Sequence, residues 1–332
     1  MAFKLQSELR KKLLDAFTNS KEEYLSGQYI GDLLGISRAA VWKHIEELRK
    51  EGFELEAVRR KGYRIINTTK NVTADEIRLG LKTQFIGQYI HYEDRVDSTQ
   101  KIAQRLAYDG AKEGTMVIAE EQFSGKGRME RAWHSPKYTG AWMSLILRPK
   151  IPIQNAPQLT LLTAVAVVQA IEEVTSLSPQ IKWPNDLLLN GKKVTGILTE
   201  LQAEADCIKS IIIGIGINVN QKLDDFPHEL QAIATSLAIE EKTEVNRADV
   251  IRAVLTNFEK LYILYLNSGF QPIKLLWESY AVSIGRTIIA RTLTGELRGK
   301  ALGITDEGVL RLEDENGKIH LIYSADIELK EK

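Results

Sequence analysis

The stretch from Glu120 to Trp133 combines residue types that bind anionic ligands. Its two glycines, three cations and terminal aromatic residue are Gly125, Lys126, Gly127, Arg128, Arg131 and Trp133. Glycines let a backbone approach a ligand closely, and arginines present planar sets of donors that match carboxylate and phosphate oxygens. The stretch predicts a site for a ligand with a carboxylate beside a phosphate, with the tryptophan placed to cover a nucleobase. The alternative is a solvated basic loop whose glycines serve only a turn.

Three further segments carry side chains that suit the same ligand. Lys182 opens the string Lys-Trp-Pro-Asn-Asp; beside a bound triphosphate its ammonium would offset developing negative charge, although a lone lysine is more often solvated. The sequence Asp-Ser-Thr-Gln at residues 97–100 stands at the head of a predicted helix, where helix capping is the alternative role. Glycines interrupt a buried strand within Ile213–Asn220, which indicates that something approaches the backbone there.

The spacing of apolar residues predicts the elements that position these segments. Short apolar runs indicate strands at Met116–Ala119, Met143–Leu147, Leu187–Leu189, Gly196–Thr199 and Ile211–Ile217. Helices are predicted at Pro157–Leu177 and Arg247–Leu266, and we expect a mixed sheet with helices on one face. From about Ala281, short strands separated by glycine-containing turns predict a small antiparallel barrel of about fifty residues.

Residues 1–66 have a separate pattern, typical of a winged helix-turn-helix. After a first amphipathic helix, a second runs around Gln28–Leu34 and ends at Gly35, and Ser37 is placed to cap a third. Two strand-like runs follow and are joined by a basic tip. The third helix and the tip supply the candidate DNA-binding residues Ser37, Arg38, Lys43, His44, Arg59, Arg60 and Lys61. With 13 Lys+Arg against 10 Asp+Glu the net charge is a modest +3, so a winged helix that contacts only protein is the alternative.

Composition excludes several classes of function. The 332 residues have a formal net charge of zero, so any attraction to nucleic acid must come from a local patch rather than the whole chain. One cysteine, Cys207, permits neither an intramolecular disulfide nor a multi-cysteine zinc site. The glycine pattern matches neither a P-loop nor a dinucleotide-binding fingerprint. Without a signal-peptide pattern or a membrane-length apolar run, we expect a cytoplasmic protein with no membrane partner.

Taken in order along the chain, the four segments and the upstream winged helix resemble the family of bifunctional biotin protein ligases and biotin operon repressors. The resemblance covers essentially the whole chain and implies an α+β fold. It implies a DNA-binding winged helix-turn-helix at 1–66, a mixed-sheet biotin/lipoate ligase catalytic domain at 74–275, and an SH3-like β-barrel at 281–330. The polar segment Asn67–Thr73 is the predicted first linker.

The resemblance also implies roles for individual residues. Lys182 and Arg128 would be catalytic. Biotin would be bound by Ser98, Thr99, Gln100, Gln122, Lys126, Gly127, Arg128 and Lys182, and the nucleotide by Arg131, Trp133 and Asn218. The chain departs from the family pattern at Lys126, where arginine is usual, at Glu130, where glycine is usual, and at Gln100, where asparagine is usual. Glu130 in particular places a charged side chain where backbone freedom is expected.

The implied reaction joins biotin to ATP as biotinyl-adenylate and then transfers biotin to a lysine of a biotin carboxyl carrier protein. Magnesium is expected, held largely by phosphates and with no dedicated protein metal site. The resemblance further implies repression of biotin synthesis genes at operator DNA, by a homodimer that biotinyl-adenylate favours. Two alternatives stay open: a ligase for lipoate or another acid on the same fold, and a ligand-sensing regulator whose enzyme site has decayed.

Overall fold

The computed structural model describes residues 2–20, 22–50, 52–67, 72–204, 207–292 and 295–329. The chain forms two compact units. The smaller unit comprises Met1–Lys82 and Asn246–Arg252, and the larger comprises Thr83–Val245 and Ala253–Lys332. Residues 68–71 of the predicted linker lie outside the described residues. None of the described helices is long and apolar enough to cross a membrane.

The smaller unit contains the predicted helix-turn-helix and its hairpin. Its elements are α1 (Ala2–Asn19), α2 (Gly27–Leu34), α3 (Arg38–Lys50), β1 (Glu54–Val58), β2 (Gly62–Asn67) and α4 (Ala74–Arg78). The strands β1 and β2 pair in antiparallel register. One apolar core holds the unit together, and Val41, Ile45 and Leu48 of α3 are fully buried in it. The opposite side of α3 is thereby left facing away from the core.

Local chemistry fixes where α2 and α3 begin and end. The hydroxyl of Ser26 accepts a hydrogen bond from the amide of Tyr29 at 3.0 Å, which caps α2. Gly35 ends α2 in the left-handed conformation, with φ at 66°. The hydroxyl of Ser37 accepts from the amide of Ala40 at 3.2 Å, so the predicted cap of α3 is confirmed.

A seven-stranded mixed sheet lies at the centre of the larger unit. Its strands are β3 (Ile90–Val96), β4 (Met116–Gln122), β5 (Gly140–Leu147), β6 (Gln180–Lys182), β7 (Asp186–Leu189), β8 (Lys192–Glu204) and β9 (Cys207–Asn218). Their order is β3-β4-β5-β9-β8-β7-β6, with β3 and β4 parallel and the other pairs antiparallel. The helices of this part of the chain are α5 (Thr99–Tyr108), α6 (Ala156–Val174), α7 (Leu237–Glu241), α8 (Arg247–Ser268) and α9 (Gln271–Tyr280). All five strands and both helices expected for this region are confirmed.

The expectation of helices on one face of the sheet is wrong. Gln104 of α5 donates to Glu200 of β8 at 2.8 Å, whereas Thr160 of α6 hydrogen bonds to Thr199, the adjacent residue of the same strand, at 2.7 Å. Successive residues of a strand point to opposite faces. Therefore α5 and α6 cover opposite faces, and β5 between them is buried along its whole length. Short apolar runs did not distinguish one covered face from two.

The short strands predicted after Ala281 form a small antiparallel sheet. It contains β10 (Thr287–Thr292), β11 (Gly295–Ile304), β12 (Leu310–Glu313), β13 (Ile319–Ile322) and β14 (Asp326–Leu329), in the order β13-β12-β11-β10-β14. The predicted turn glycines Gly308 and Gly317 both have positive φ. Ser324, in the connection from β13 to β14, and Asp326, the first residue of β14, lie beside the site described next.

Candidate functional site

A cavity of about 600 Å³ in the larger unit gathers the four segments singled out in the sequence. This volume is ordinary for a small-molecule site. The predicted residues that line it are Ser98, Thr99, Gln100, Gln122, Lys126, Gly127, Arg128, Arg131, Trp133, Lys182 and Asn218. Every residue predicted to bind biotin or nucleotide thus lies in one wall or another of a single cavity.

The loop Gly125–Trp133, called the ligand loop below, has the form of a narrow hairpin. Its two arms pair between Lys126 and Ala132, and the amide of Trp133 donates to the carbonyl of Gly125 at 2.9 Å. A Cβ atom on Gly125 would lie 2.5 Å from the carbonyl oxygen of Trp133. The close approach of the arms therefore requires glycine at this position.

The tip of the ligand loop has a backbone conformation that normally favours glycine. Met129 and Glu130 have φ values of 55° and 58°. Left-handed conformations cost a residue with a side chain roughly 1–2 kcal/mol. Lys126 Nζ lies 3.4 Å from Glu130 Oε2, but Glu130 is 86% exposed, so this pair contributes little. The conflict expected between the side chain of Glu130 and the path of the turn is therefore the positive φ of this residue.

Two arginines connect the ligand loop to other elements. Arg128 donates from Nη1 to Asn185 Oδ1 at 3.0 Å and from Nη2 to Ser324 Oγ at 2.8 Å. Arg131 forms an ion pair with Asp326. Burial raises the pKa of Asp326, but the hydrogen bond and charge of Arg131 outweigh it and hold that pKa below its usual value. The loop is therefore held near its tip by Asn185, Ser324 and the start of β14.

Lys182 is a cavity cation that forms no ion pair with any described residue. It ends the short strand β6 and lies partly buried in the cavity wall. Its ammonium group has no hydrogen bond or ion pair with any residue that the structure describes. By contrast, Lys193 in the same wall pairs with Asp186 at 2.7 Å. A half-buried cation that lacks a directly bonded carboxylate is suited to an anionic ligand.

One part of the cavity wall is a hydrogen-bonded cluster in which the hydroxyl of Ser98 has no hydrogen-bond partner among the described residues. Ser98 occupies the N-cap position of α5, yet its Oγ makes no capping bond and has no partner among the described atoms. Gln122 Oε1 accepts from the amide and hydroxyl of Thr99 at 2.9 and 3.0 Å. Gln100 is turned to the protein, donating to the carbonyl of Ile212 at 3.1 Å. Ser98 is 1% exposed, so its orphaned hydroxyl indicates a ligand that bonds there.

Another part of the cavity wall is formed by Trp133, which lies over two glycines. A Cβ atom on Gly196 would lie 2.8 Å from the ring of Trp133, and one on Gly216 would overlap its Nε1. That Nε1 is buried and has no partner in the described part of the chain. Lys193 Nζ lies 5.1 Å from the ring centre. Two groups therefore approach the glycines that interrupt the strand at Ile213–Asn220: the indole lies against Gly216, and a Cβ atom on Gly214 would lie 2.7 Å from Gln100 Oε1.

Asn218 and several residues absent from the sequence-based predictions complete the walls. Asn218 donates to the carbonyl of Thr235 and accepts from Gln221, both at 3.0 Å. Ser324 and Asp326 were not predicted, although they anchor both loop arginines. A turn of the form Ser-Ala-Asp, distant in the sequence from the ligand loop, carries no signal in a single sequence. Asn185 Nδ2 donates to the carbonyl of Ile197 at 3.1 Å, which connects the turn before β7 to strand β8.

The predicted DNA-binding residues lie on the surface of the smaller unit with one exception. Ser37, Arg38, Lys43, Arg59, Arg60 and Lys61 are exposed. His44 has only 13% of its side chain exposed, and its Nδ1 lies 3.2 Å from Glu47 Oε2. Tyr24 packs against the β1–β2 hairpin. Its ring contacts Lys61 and Arg64, and its hydroxyl donates to Glu56 at 2.7 Å.

Three family models match successive parts of the chain. The biotin/lipoate A/B protein ligase family matches residues 92–218, and an HTH domain matches residues 9–64. The biotin protein ligase C terminal domain matches residues 283–330.

Similar proteins match nearly the full length. The chain is 59% identical over 325 residues to the bifunctional ligase/repressor BirA of Bacillus spizizenii, covering 98% of this chain and 100% of that relative. It is 30% identical over 305 residues to the bifunctional ligase/repressor BirA of Escherichia coli, covering 92% of each. Among solved structures, the biotin protein ligase from Aquifex aeolicus in complex with biotin and ATP aligns with a TM-score of 0.64 and 31% identity, covering 74% of this chain and all of that one.

Proposed function

The chain belongs to the family of bifunctional biotin protein ligases and repressors, and from that premise we propose that its cavity is where biotin and ATP react. One observation carries this proposal: the unpaired ammonium of Lys182, the arginines of the ligand loop and the orphaned hydroxyl of Ser98 face a single cavity. A ligand with a polar head at one end and a carboxylate beside a phosphate at the other would satisfy all of them. Biotin placed against ATP is such a ligand pair.

The first reaction joins two anions. An oxygen of the biotin carboxylate attacks the α-phosphorus of ATP, the bond from that phosphorus to the bridging oxygen breaks, and pyrophosphate leaves. Because both reactants are negatively charged, catalysis consists mainly of charge neutralisation and positioning. We assign the first task to Lys182 and Arg128, which would contact the reacting carboxyl and phosphoryl oxygens. The chain has no need of a nucleophilic side chain for this step.

We assign the biotin end of the cavity to the cluster around Ser98. Its free hydroxyl would bond the polar head of biotin, and Thr99, Gln100 and Gln122 would shape the pocket around it. The amide groups of Gln100 and Gln122 already bond to protein neighbours, so their proposed role is chiefly to hold the cluster rigid. Lys126 and Gly127 would close over the carboxylate.

We assign the nucleotide end to Trp133, Arg131 and Asn218. The indole would cover the adenine, and its unpartnered Nε1 would gain a partner when the nucleotide binds. No three histidine, cysteine, aspartate or glutamate side chains cluster within the described ranges. We propose that a magnesium ion is held through the phosphates of ATP rather than by a cage of protein ligands. When bound, that ion would neutralise charge on the departing pyrophosphate.

The second reaction transfers biotin to protein. The neutral ε-amine of an acceptor lysine attacks the acyl carbon of biotinyl-adenylate and loses one proton to solvent, an amide forms, and AMP leaves with the electrons of the broken acyl–oxygen bond. The acceptor that we propose is a biotin carboxyl carrier protein domain. An ordered ligand loop would keep water from the anhydride until that lysine arrives.

Labelling of a carrier domain tests the ligase function. A carrier domain incubated with the chain, biotin and ATP should gain the mass of one biotinyl group at its acceptor lysine. The matched carrier with arginine in place of that lysine should gain nothing. Failure to label the native carrier while pyrophosphate is released would contradict transfer and leave only the sensing role.

Substitution of Glu130 tests the charge and strain at the loop tip. Glu130→Gly should lower the Kd for ATP about three- to tenfold, because it removes the carboxylate that lies beside Lys126 of the cavity wall and a side chain in the left-handed conformation at the loop tip. Glu130→Gln should give only the charge-dependent part of this gain. Calorimetric titration with ATP measures both, and weaker binding by the glycine variant would contradict the proposed position of the triphosphate.

We propose that the winged helix, taken as residues 1–66, binds operator DNA upstream of biotin synthesis genes. Arg38 and Lys43 on α3 and the basic tip at 59–61 support this role, since cations on an exposed helix and wing can contact phosphates. A single small domain supplies limited affinity, so a homodimer on a two-fold operator is proposed, favoured by biotinyl-adenylate. Residues 74–275 and 281–330 are the proposed catalytic and C-terminal domains.

Deleting residues 1–66 should separate the two activities. The shortened chain should lose the salt-dependent gel shift of operator DNA that biotin and ATP induce, while its pyrophosphate release stays within about twofold of the full chain, because the cavity lies wholly in the larger unit. The triple variant Arg59→Ala, Arg60→Ala, Lys61→Ala is the matched control that leaves the fold of the smaller unit in place. A full chain that shifts no DNA under any ligand condition would instead assign the winged helix to protein contact.

A further inference from the structure

The exposed side of α3 carries one tryptophan, Trp42, whose side chain is largely accessible to solvent. Trp42 is 57% exposed, while the neighbouring Val41 is fully buried in the core. The side chain of Trp42 makes no hydrogen bond, ring stacking or cation–π contact with any residue in the described ranges. A tryptophan left this exposed on a small unit carries a large apolar surface that a partner can bury.

The residues around Trp42 indicate what kind of partner this is. Arg38 and Ala39 lie one helical turn before it, and Glu46, which pairs with Arg49 at 2.6 Å, lies one turn after it. Lys43 is the next residue along the chain, and Arg38, Ala39 and Lys43 are exposed. Charged residues, lysine among them, are depleted from the cores of protein–protein interfaces, so an indole close to two exposed cations favours an anionic partner. A positively charged helix face with one apolar side chain at its middle instead complements the DNA major groove, which is anionic at its rims and carries thymine methyl groups on its floor.

We propose that Trp42 is the residue of α3 that reads base identity, through apolar contact with a thymine methyl group in each half-site. This inference rests on the proposed operator binding. Arg38 and Lys43 would contact phosphates, which fix the register but carry no sequence information. The indole is the side chain on this face that distinguishes a thymine from the other bases, because it gains from burying a methyl group against its ring.

Selection from a randomised DNA library tests this proposal and needs no defined operator sequence. The probe is a pool of random duplexes about four helical turns long, and the protein is the full chain with biotin and ATP. The wild-type chain should enrich a two-fold motif with a thymine at one position of each half-site. Trp42→Ala should enrich a motif that has lost preference at that position and should bind the wild-type motif roughly ten- to hundredfold more weakly. Its pyrophosphate release should be unchanged, and its circular dichroism and thermal unfolding should match those of the wild type, which verifies that the smaller unit is folded.

Two further variants separate base reading from loss of an aromatic surface. Trp42→Phe keeps apolar contact and should retain the thymine preference with a smaller loss of affinity. Tyr29→Ala removes another exposed aromatic of the same unit, 52% exposed on α2, and should leave motif and affinity unchanged.

The outcomes distinguish this inference from the function on which it rests. If the wild-type chain enriches no motif, operator binding itself fails. If Trp42→Ala enriches the same motif with the same preferences, the inference is wrong and operator binding stands. A variant that keeps the motif but no longer assembles into dimers likewise overturns base reading and places Trp42 in contact with a second copy.

Discussion

Replacing Lys182 with alanine is expected to lower the rate of biotin-dependent pyrophosphate release by about 10²–10³-fold. The reason is electrostatic: two anions approach one another in the first reaction, and Lys182 is a cavity cation that no described carboxylate pairs with. Removing it should leave folding intact, because no described partner loses a bond. A coupled assay of pyrophosphate, with thermal unfolding measured in parallel, checks both statements.

Two matched variants sharpen the Lys182 experiment. Lys182→Arg keeps the charge but changes its geometry and should fall between wild type and alanine. Lys150→Ala removes an exposed lysine outside the cavity and should release pyrophosphate at the normal rate. Normal turnover by Lys182→Ala would remove this residue from the reacting centre.

Replacing Arg128 with glycine is expected to release the biotinyl-adenylate that the wild-type chain retains. Arg128 bonds to Asn185 and Ser324 at 3.0 and 2.8 Å and so connects the ligand loop to the turn before β7 and to the β13–β14 connection. Without these bonds the loop should open more often, and dissociation of biotinyl-adenylate should accelerate at least about tenfold, as expected for loss of charge-assisted hydrogen bonds. Lysines of a bystander protein such as albumin should then become biotinylated.

Two control variants show whether the shape of the guanidinium of Arg128 or only its positive charge retains the adenylate. Arg128→Lys keeps the charge, loses the two-pronged geometry and should show intermediate bystander labelling. Arg95→Ala removes an exposed arginine outside the cavity and should label only the carrier domain. If Arg128→Gly holds the adenylate as long as the wild type does, the ligand loop does not retain the intermediate.

Local signals in the sequence were sufficient for most of the fold. Gly35 and Ser37 fix the turn between two helices because one supplies a left-handed residue and the other a cap. The strand around Ile211–Ile217 was recognised because buried strands form short apolar runs. The functional segments were recognised by the types of side chain they carry, and all of them line one cavity.

Long-range geometry was not accessible in the same way. Nothing near Ser324 or Asp326 in the sequence indicates that they anchor Arg128 and Arg131, because those contacts depend on how the C-terminal sheet packs. The sidedness of α5 and α6 depends on strand register, which a short apolar run does not specify. Glutamate at position 130, where the family usually has glycine, indicated that the backbone of the turn would be constrained. The left-handed φ of Glu130 became visible only in the folded loop.

The central claim is that the cavity activates biotin with ATP, and its most direct measurement is acid-dependent pyrophosphate release. The full chain with ATP is given biotin in one reaction and lipoate in the other, and the adenylate formed is identified by mass. We predict pyrophosphate and biotinyl-adenylate with biotin, and at least about a hundredfold lower rate with lipoate, because a site built to bond the polar head of biotin rejects an acid that lacks it. Equal or faster release with lipoate would contradict the assignment of the acid, and no release with either would contradict catalysis itself.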